Sequence, residues 1–292
     1  MSLVPPTLLQ RLSRSRLLVR GAVATGGVGE RRSRARGPGI EFAEHREYQI
    51  GDDIRYLDPH VYARLGQHVL RSYSVDQQLQ IAIVLDATAS MERGAEIKAH
   101  RARQLAAILA YVGLAGGDAV QLAAFGQDGV RWHPRRSGTR RAGELFTFLQ
   151  EVRFGGEADL EQVAREVADR LRPESLILFV SDFFLDGLDH AVSLWATRRH
   201  ETVGVQVLTP EEIDPGLLGD DPVRLVDAET GAETAITLDE PTLARYRGAL
   251  SAWQARCASD LAAGGGRFVS TRTDEPLDRL VLTAWRKEGL VA

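Results

Sequence analysis

Five short apolar runs, separated by stretches with helical spacing, restrict the fold of this chain more than any other feature. The runs are residues 79–85, 119–125, 175–180, 202–208 and 267–270. Each is too short for a buried helix and is rich in Val, Ile, Leu or Phe, as expected of strands covered on both faces. The stretches with helical periodicity are residues 96–114, 160–171, 188–199 and 241–262. Because parallel strands normally need a helical crossover, we predict an α/β, Rossmann-like fold with a mostly parallel central sheet flanked by helices.

The remaining segments suggest two parts in the 292-residue chain. Residues 1–78 precede the first core strand and form a smaller N-terminal segment containing β structure, whereas residues 79–292 form the sheet domain. Within the first part, the Gly- and Arg-rich stretch 22–39 predicts a surface loop, and partial alternation over 67–75 predicts a strand leading into the core. Residues 209–239 predict a hairpin insertion that turns through 229–231.

Composition favours a soluble globular protein and excludes several classes. The net charge is −4, and the basic run 31–36 lacks interleaved aromatic residues, so we expect no nucleic-acid partner. Cys257 is the only cysteine, which excludes an internal disulfide. Neither a signal peptide nor an apolar run of about 18–20 residues is present, so we expect a cytoplasmic protein without a membrane span. Lys98 and Lys287 are the only lysines, and arginine supplies all other basic side chains.

Oxygen-bearing side chains follow two of the predicted strands. Asp86 ends the first core strand and is followed by Thr88 and Ser90, and Asp182 ends the strand that starts near residue 175. The carboxyl ends of parallel strands form the ligand-binding edge of an open sheet, so these four side chains are expected to converge. Hard oxygen ligands suit Mg²⁺ or Mn²⁺, although Asp and Ser in such a turn often only cap the next helix.

The same residues carry a family resemblance. The segment VLDATASM, residues 84–91, resembles the metal-ion-dependent adhesion site of von Willebrand factor A domains. Further segments resemble a bacterial family catalogued as domain of unknown function fifty-eight. These are 39–42, 46–55, Asp58 and 63–64 upstream, and 209–212 and 223–231 downstream. The resemblance spans roughly residues 20–290. It implies a von Willebrand factor A domain that works with a MoxR-type AAA+ ATPase in protein maturation or stress response, and a metal that coordinates a carboxylate of the partner.

One departure weakens the expected metal site. Von Willebrand factor A domains complete the metal shell with a threonine from a second loop. Here that loop reads GGEADL and places Ala158 at the threonine position. Water, Glu157 or a carboxylate of the partner could fill the gap, so Glu157 is an additional candidate ligand beside Asp86, Thr88, Ser90 and Asp182. Either Mg²⁺ or Mn²⁺ binds here, or the site is empty.

Three functions remain open from the residues alone. The first is a non-enzymatic protein-interaction adaptor with a metal-ion-dependent adhesion-like site, and the second is a metal-free interaction module with a degenerate site. The third is a Mg²⁺-dependent phosphoester hydrolase, for which the sequence offers no identifiable nucleophile. The glycine-rich stretches 113–117 and 264–266 lack the Lys-Ser/Thr of a P-loop, which makes nucleotide hydrolysis unexpected.

Overall fold

The computed structural model of the chain describes residues 3–19, 41–49, 57–74, 78–92, 96–219, 223–226 and 233–292. Two compact units are present: the larger comprises Met1–Gly21 and Leu79–Ala292, and the smaller Ala22–Gln78. Three parts of the sequence prediction lie outside the described residues: the Gly/Arg-rich loop 22–39, most of the segment 46–55 that carries the family resemblance, and the hairpin turn 229–231. No helix of the described chain is long and apolar enough to cross a membrane.

The strands and helices are named in chain order. The strands are β1 (Glu41–Glu47), β2 (Val69–Ser74), β3 (Gln80–Asp86), β4 (Ala119–Gly126), β5 (Gly129–Ser137), β6 (Leu176–Ser181), β7 (Glu201–Leu208), β8 (Val223–Val226), β9 (Glu233–Ile236) and β10 (Arg267–Arg272). The helices are α1 (Pro6–Leu12), α2 (Pro59–Leu65), α3 (Ala89–Glu92), α4 (Glu96–Ala115), α5 (Ala142–Glu151), α6 (Leu160–Arg170), α7 (Leu188–Thr197), α8 (Pro210–Ile213), α9 (Glu240–Ala263), α10 (Leu277–Arg279) and α11 (Trp285–Lys287).

A six-stranded sheet in the order β10-β7-β6-β3-β4-β5 forms the centre of the larger unit. All neighbours are parallel except β4 and β5, which pair antiparallel. All five predicted apolar runs are strands of this sheet, and β6 and β7 are buried along their whole length. The prediction of a Rossmann-like α/β fold with a mostly parallel sheet is therefore confirmed.

Helices cover both faces of the sheet. Helices α6, α7 and α9 share one hydrophobic core with alternate residues of β3, β4 and β6. Helix α4 packs on the opposite face, where Gly113 lets it approach closely: a Cβ there would lie 2.8 Å from Val120 Cγ2 and 3.0 Å from Ile81 Cδ1. This double covering explains why the parallel strands are continuously apolar.

Strand β5 is an element that the apolar pattern does not predict. It carries Trp132, His133 and Pro134 among arginines, and its residues are exposed or half-buried. An edge strand has only one neighbour and needs no continuous apolar run, and proline is tolerated at such an edge. The Asp128-Gly129 pair at the start of β5 is the local turn signal for this hairpin.

The N-terminal part differs from the prediction in two ways. The strand predicted at 67–75 exists as β2, but it pairs antiparallel with β1 in a separate two-stranded sheet instead of leading into the core. Residues 1–21 group with the larger unit, where α1 packs on α4 and Leu17 bridges to Val291.

The predicted hairpin insertion is present in the larger unit. Strands β8 and β9 pair antiparallel, with Val223 opposite Ile236 and Val226 opposite Glu233. The pairing closes a short two-stranded sheet that is separate from the central one. The insertion therefore lies between β7 and α9 without extending the parallel sheet.

Candidate functional site

Asp86, at the end of β3, is held by three hydrogen bonds. Its Oδ1 accepts from the backbone N–H of Thr88 at 2.9 Å and from Thr88 Oγ1 at 2.7 Å. Its Oδ2 accepts from Ser181 Oγ at 2.6 Å. Thr88 Oγ1 also lies 3.2 Å from Ser90 Oγ. Asp86 is fully buried, so both carboxylate oxygens are satisfied by neighbouring donors away from solvent.

The turn after β6 brings Asp182 to the same edge of the sheet. Asp182 Oδ1 accepts from the backbone N–H of Phe184 at 2.9 Å, and its backbone carbonyl accepts from Gln206 Nε2 at 2.9 Å. Ser181 Oγ, while donating to Asp86, accepts from the backbone N–H of Phe183 at 2.9 Å. Asp86, Thr88, Ser90 and Asp182 are therefore placed on neighbouring turns, β3 and β6 being adjacent in the sheet.

Phe183 has an unusual backbone conformation between these groups. Its φ is 65°, in the left-handed region that a bulky side chain rarely adopts. The ring is fully buried and packs edge-on against Phe179 and Phe268, with centroids 5.1 Å and 5.3 Å away. Core packing thus holds the turn in a conformation that leaves the following residue, Phe184, 38% exposed.

The second predicted loop lies against the Asp86 turn through its backbone. Gly155 donates its N–H to the Ala87 carbonyl at 2.8 Å, and the Gly156 carbonyl accepts from the Ala89 N–H at 2.8 Å. Gly156 has a φ of 69°, and a Cβ there would lie 2.4 Å from Gln127 Cβ. Gly156 is therefore required for this close approach.

Glu157 and Ala158 follow in that loop and differ in role. Glu157 is exposed, whereas Ala158 is half-buried and packs against the hydrophobic core. Asp159 then caps α6 by accepting from the backbone N–H groups of Glu161 and Gln162. The loop consequently presents a methyl group where the family resemblance implies a threonine oxygen.

Lys98, in the first turn of α4, points its ammonium into this region. Lys98 Nζ lies 2.8 Å from Asp182 Oδ2, 2.6 Å from Glu212 Oε1 and 3.2 Å from the Ser90 carbonyl. The side chains of Lys98 and Asp182 are both fully buried, and that of Glu212 is 26% exposed. The ammonium also lies 5.9 Å from the centre of the Phe184 ring. We call Asp86, Thr88, Ser90, Lys98, Asp182 and Glu212 the carboxyl-edge cluster.

Glu212 is positioned by a capping box at the start of α8. Thr209 Oγ1 accepts from the Glu212 N–H at 3.2 Å, and Glu212 Oε2 accepts from the Thr209 N–H at 2.8 Å. This reciprocal pair satisfies two backbone donors of the helix and leaves Oε1 for Lys98. Tyr246 Oη donates to the Glu212 carbonyl at 2.5 Å, which ties α8 to α9.

The electrostatics of the cluster follow from burial and charge. Burial, followed by the repulsion of the Asp182 carboxylate, raises the pKa of Asp86 to about 6 against the opposing effect of its hydrogen bonds. Burial alone would lower the pKa of Lys98, but the carboxylates of Asp182 and Glu212 outweigh it and raise that pKa above its ordinary value. Lys98 is therefore a permanent ammonium ion near neutral pH.

The oxygen atoms that the resemblance assigns to a divalent ion are engaged within the chain. Both oxygens of Asp86 and both oxygens of Asp182 already accept hydrogen bonds from the chain. In the described part of the chain, no group of three or more His, Cys, Asp or Glu side chains could hold a metal ion. Binding of Mg²⁺ or Mn²⁺ stays a prediction, and the arrangement around Asp182 does not fit it.

Exposed apolar side chains follow the same strand ends as the cluster residues. Ile97 is 59% exposed, Phe184 38%, Leu217 62% and Leu218 51%. They follow the carboxyl ends of β3, β6 and β7, which are consecutive in the sheet. We call these four residues the apolar rim; within the described residues of the larger unit, they are all of the large apolar side chains that are classed as exposed.

The sequence interpretation found four of the six cluster residues and missed Lys98 and Glu212. One signal for Lys98 was its rarity, since 34 of the 36 basic residues that the sequence carries are arginines. A signal for Glu212 was the Thr-x-x-Glu capping pattern at 209–212. Asp58, one of the residues that carry the family resemblance, is a helix cap that accepts from the His60 and Val61 N–H groups at the start of α2.

Comparison with solved structures finds several similar chains, and two bacterial proteins are among them. The conserved hypothetical protein BatB from Bacteroides thetaiotaomicron is 15% identical, with a TM-score of 0.44, over 72% of this chain and 98% of its own. A von Willebrand factor type A protein from Catenulispora acidiphila is 12% identical, with a TM-score of 0.41, over 74% of this chain and 43% of its own.

Comparison with curated sequences finds mycobacterial proteins. An uncharacterized protein of Mycobacterium tuberculosis is 28% identical over 264 residues, covering 88% of this chain and 82% of the relative. Another, from Mycobacterium avium, is 32% identical over 145 residues, covering 48% of this chain and 84% of the relative. The family model described as "Protein of unknown function DUF58" matches residues 44–256, most of the length of this chain. The chain belongs to the DUF58 family.

Proposed function

We propose that this chain is a non-enzymatic protein-interaction module that binds its partner through the apolar rim at the carboxyl edge of the sheet. The observation that carries the proposal is that Ile97, Phe184, Leu217 and Leu218 are exposed and follow the carboxyl ends of three strands that are adjacent in the sheet. Exposed apolar side chains gathered in one region are typical of interaction surfaces. Aromatic anchors such as Phe184 are enriched at the centres of such surfaces.

The three loops are also held together, which suits a preformed binding surface. Lys98 contacts the loop after β3 through the Ser90 carbonyl, the loop after β6 through Asp182, and the segment after β7 through Glu212. Each of these loops contributes at least one rim residue. A surface that is rigid before binding loses less conformational freedom when the partner binds.

The chemistry of the cluster supports the non-enzymatic part of the proposal. The hydroxyls of Thr88 and Ser181 donate to Asp86. Lys98 is held as an ammonium ion by two carboxylates, which removes it as a nucleophile or base. Burial raises the pKa of Cys257 to about 11, which makes that thiol unreactive.

The partner that we propose is a MoxR-type AAA+ ATPase, and this part rests on the family resemblance. The test is calorimetric titration of the full chain with a purified MoxR-type AAA+ ATPase from the same organism, with and without Mg²⁺. We expect Leu217→Ser to weaken binding at least about fivefold, because truncating a hot-spot residue of an interface costs more than about 1 kcal/mol. The matched control is Leu65→Ser, since Leu65 is 57% exposed but lies in the smaller unit.

Two results would contradict the proposal. Unchanged ATPase affinity in both Leu217→Ser and Phe184→Ala would exclude the apolar rim as the contact surface. Absence of any binding by the wild-type chain would exclude this partner. Binding that requires Mg²⁺ and is lost in Asp86→Ala would favour the metal-dependent adhesion mode over direct apolar docking.

A further inference from the structure

A positive charge in the carboxyl-edge cluster is supplied by the chain itself. A lysine ammonium has three N–H donors and no acceptor. Lys98 Nζ has three oxygen acceptors within 3.2 Å: Asp182 Oδ2, Glu212 Oε1 and the Ser90 carbonyl. Each donor therefore has a partner, and the fully buried ammonium is completely coordinated.

We infer that the ammonium of Lys98 is the resident cation of this cluster and takes the place of the divalent ion that the family resemblance implies. Asp182, one of the two carboxylates predicted to bind that ion, already has one oxygen on the ammonium and the other on the Phe184 N–H. Asp86, the second, has each oxygen on a hydroxyl donor. A second cation beside a fixed ammonium would be repelled.

The second loop agrees with this assignment. A divalent ion of the adhesion type needs an oxygen from that loop, and the residue at the relevant position is Ala158, whose methyl group packs against the core. The missing oxygen and the added ammonium are independent features of distant segments. Both change the cluster in the same direction, toward a site that needs no metal ion.

The Lys98 ammonium is covalently attached to the chain, so its consequence for the protein differs from that of a bound metal ion. A metal ion can be removed by a chelator, whereas an ammonium on α4 is present in every folded molecule. It joins loops that follow three strands, through partners 84 and 114 residues away in the chain. The edge of the sheet is therefore held together without dependence on the concentration of divalent ions.

The experiment measures Mn²⁺ binding by calorimetry and the thermal unfolding midpoint in Mn²⁺ and in EDTA, using the full chain. The proteins are the wild type, Lys98→Met, Lys98→Arg as the variant that keeps the charge, and Lys287→Met as the matched control. Lys287 is the other lysine and is exposed. This inference does not rest on the interaction function, because no partner is present in the assay.

We expect no Mn²⁺ dependence in the wild type, Lys98→Arg or Lys287→Met. In Lys98→Met, the freed carboxylates should bind Mn²⁺ at least about tenfold more tightly than the wild type does, and Mn²⁺ should raise the unfolding midpoint. Adding Asp182→Asn to Lys98→Met should abolish that gain. Folding of Lys98→Met only in the presence of Mn²⁺ would also support the assignment.

The inference is overturned if the wild type binds Mn²⁺ and Asp182→Asn removes this binding, or if EDTA lowers the wild-type midpoint. It is also overturned if a folded Lys98→Met shows no greater affinity for Mn²⁺ than the wild type. Lys98→Gln, which is neutral but keeps hydrogen-bond donors, replaces Lys98→Met if the latter does not fold. Should neither fold under any condition, the wild-type result decides: binding that depends on Asp182 overturns the inference, and its absence supports it.

Discussion

Removing the charge of Lys98 should destabilise the larger unit far more than an average substitution does. The side chains of Lys98 and Asp182 are both 0% exposed, so Lys98→Met leaves a buried carboxylate without its counterion. Breaking a buried ion pair from one side typically costs about 3–5 kcal/mol in the free energy of unfolding. Glu212 is 26% exposed and can regain contact with water, so most of the loss is expected from Asp182.

A double-mutant cycle separates this charge effect from lost packing. Asp182→Asn removes the carboxylate, and combining it with Lys98→Met leaves no uncompensated charge between the two positions. Because replacing both partners is often close to neutral, we expect a coupling free energy of about 2–3 kcal/mol between these residues. Lys287→Met is the control and should change stability by less than about 0.5 kcal/mol, as surface substitutions usually do.

The assay is urea unfolding at pH 7 followed by tryptophan fluorescence. All four tryptophans lie in the larger unit, and Trp195 and Trp285 are fully buried, so the signal reports that unit. A loss of unfolding free energy in Lys98→Met that is as small as the loss in the Lys287→Met control would refute the reasoning. A coupling free energy below about 0.5 kcal/mol would show that the two charges do not stabilise each other.

Two further predictions concern the pH dependence of stability. Burial lowers the pKa of His200 to about 4, so the unfolded chain takes up the proton first, and stability should fall by about 2 kcal/mol between pH 7 and pH 5 through this residue. Urea unfolding at both pH values should show a smaller loss in His200→Gln, and an equal loss would contradict the assignment. Asp86 has the opposite sign: its pKa is raised to about 6, so the folded state takes up the proton first, and stability gains about 1 kcal/mol over the same interval. Asp86→Asn removes that gain, so the variant should lose more stability than the wild type on acidification. An equal loss in the two proteins would refute the raised pKa of Asp86.

The apolar pattern of the sequence was sufficient to predict the strands that are buried on both faces. Strands β3, β4, β6 and β7 are covered on both faces, so each is recognisable as a short apolar run. Strand β5 lies at the edge of the sheet and follows no such pattern. Its pairing with β4 depends on a neighbour and a turn, which the composition of the strand alone does not show.

The candidate site was predictable to the extent that it depends on strand ends. Asp86 and Asp182 each follow an apolar run, and the rule that carboxyl ends share one edge brings them together. Lys98 lies in a helix among alanines and arginines, and nothing in its local sequence distinguishes it from a solvated surface lysine. Its three acceptors come from residues that are 8, 84 and 114 positions away.

The sequence by itself determined the α/β fold, the position of Asp86, Thr88, Ser90 and Asp182, and the loss of an oxygen at Ala158, because each depends on residue type and short-range order. Only the tertiary structure decided how the charges of the site are balanced. That balance arises from long-range contacts made when α4, β6 and α8 pack around one buried ammonium, and it depends on distance and burial, which residue order does not specify.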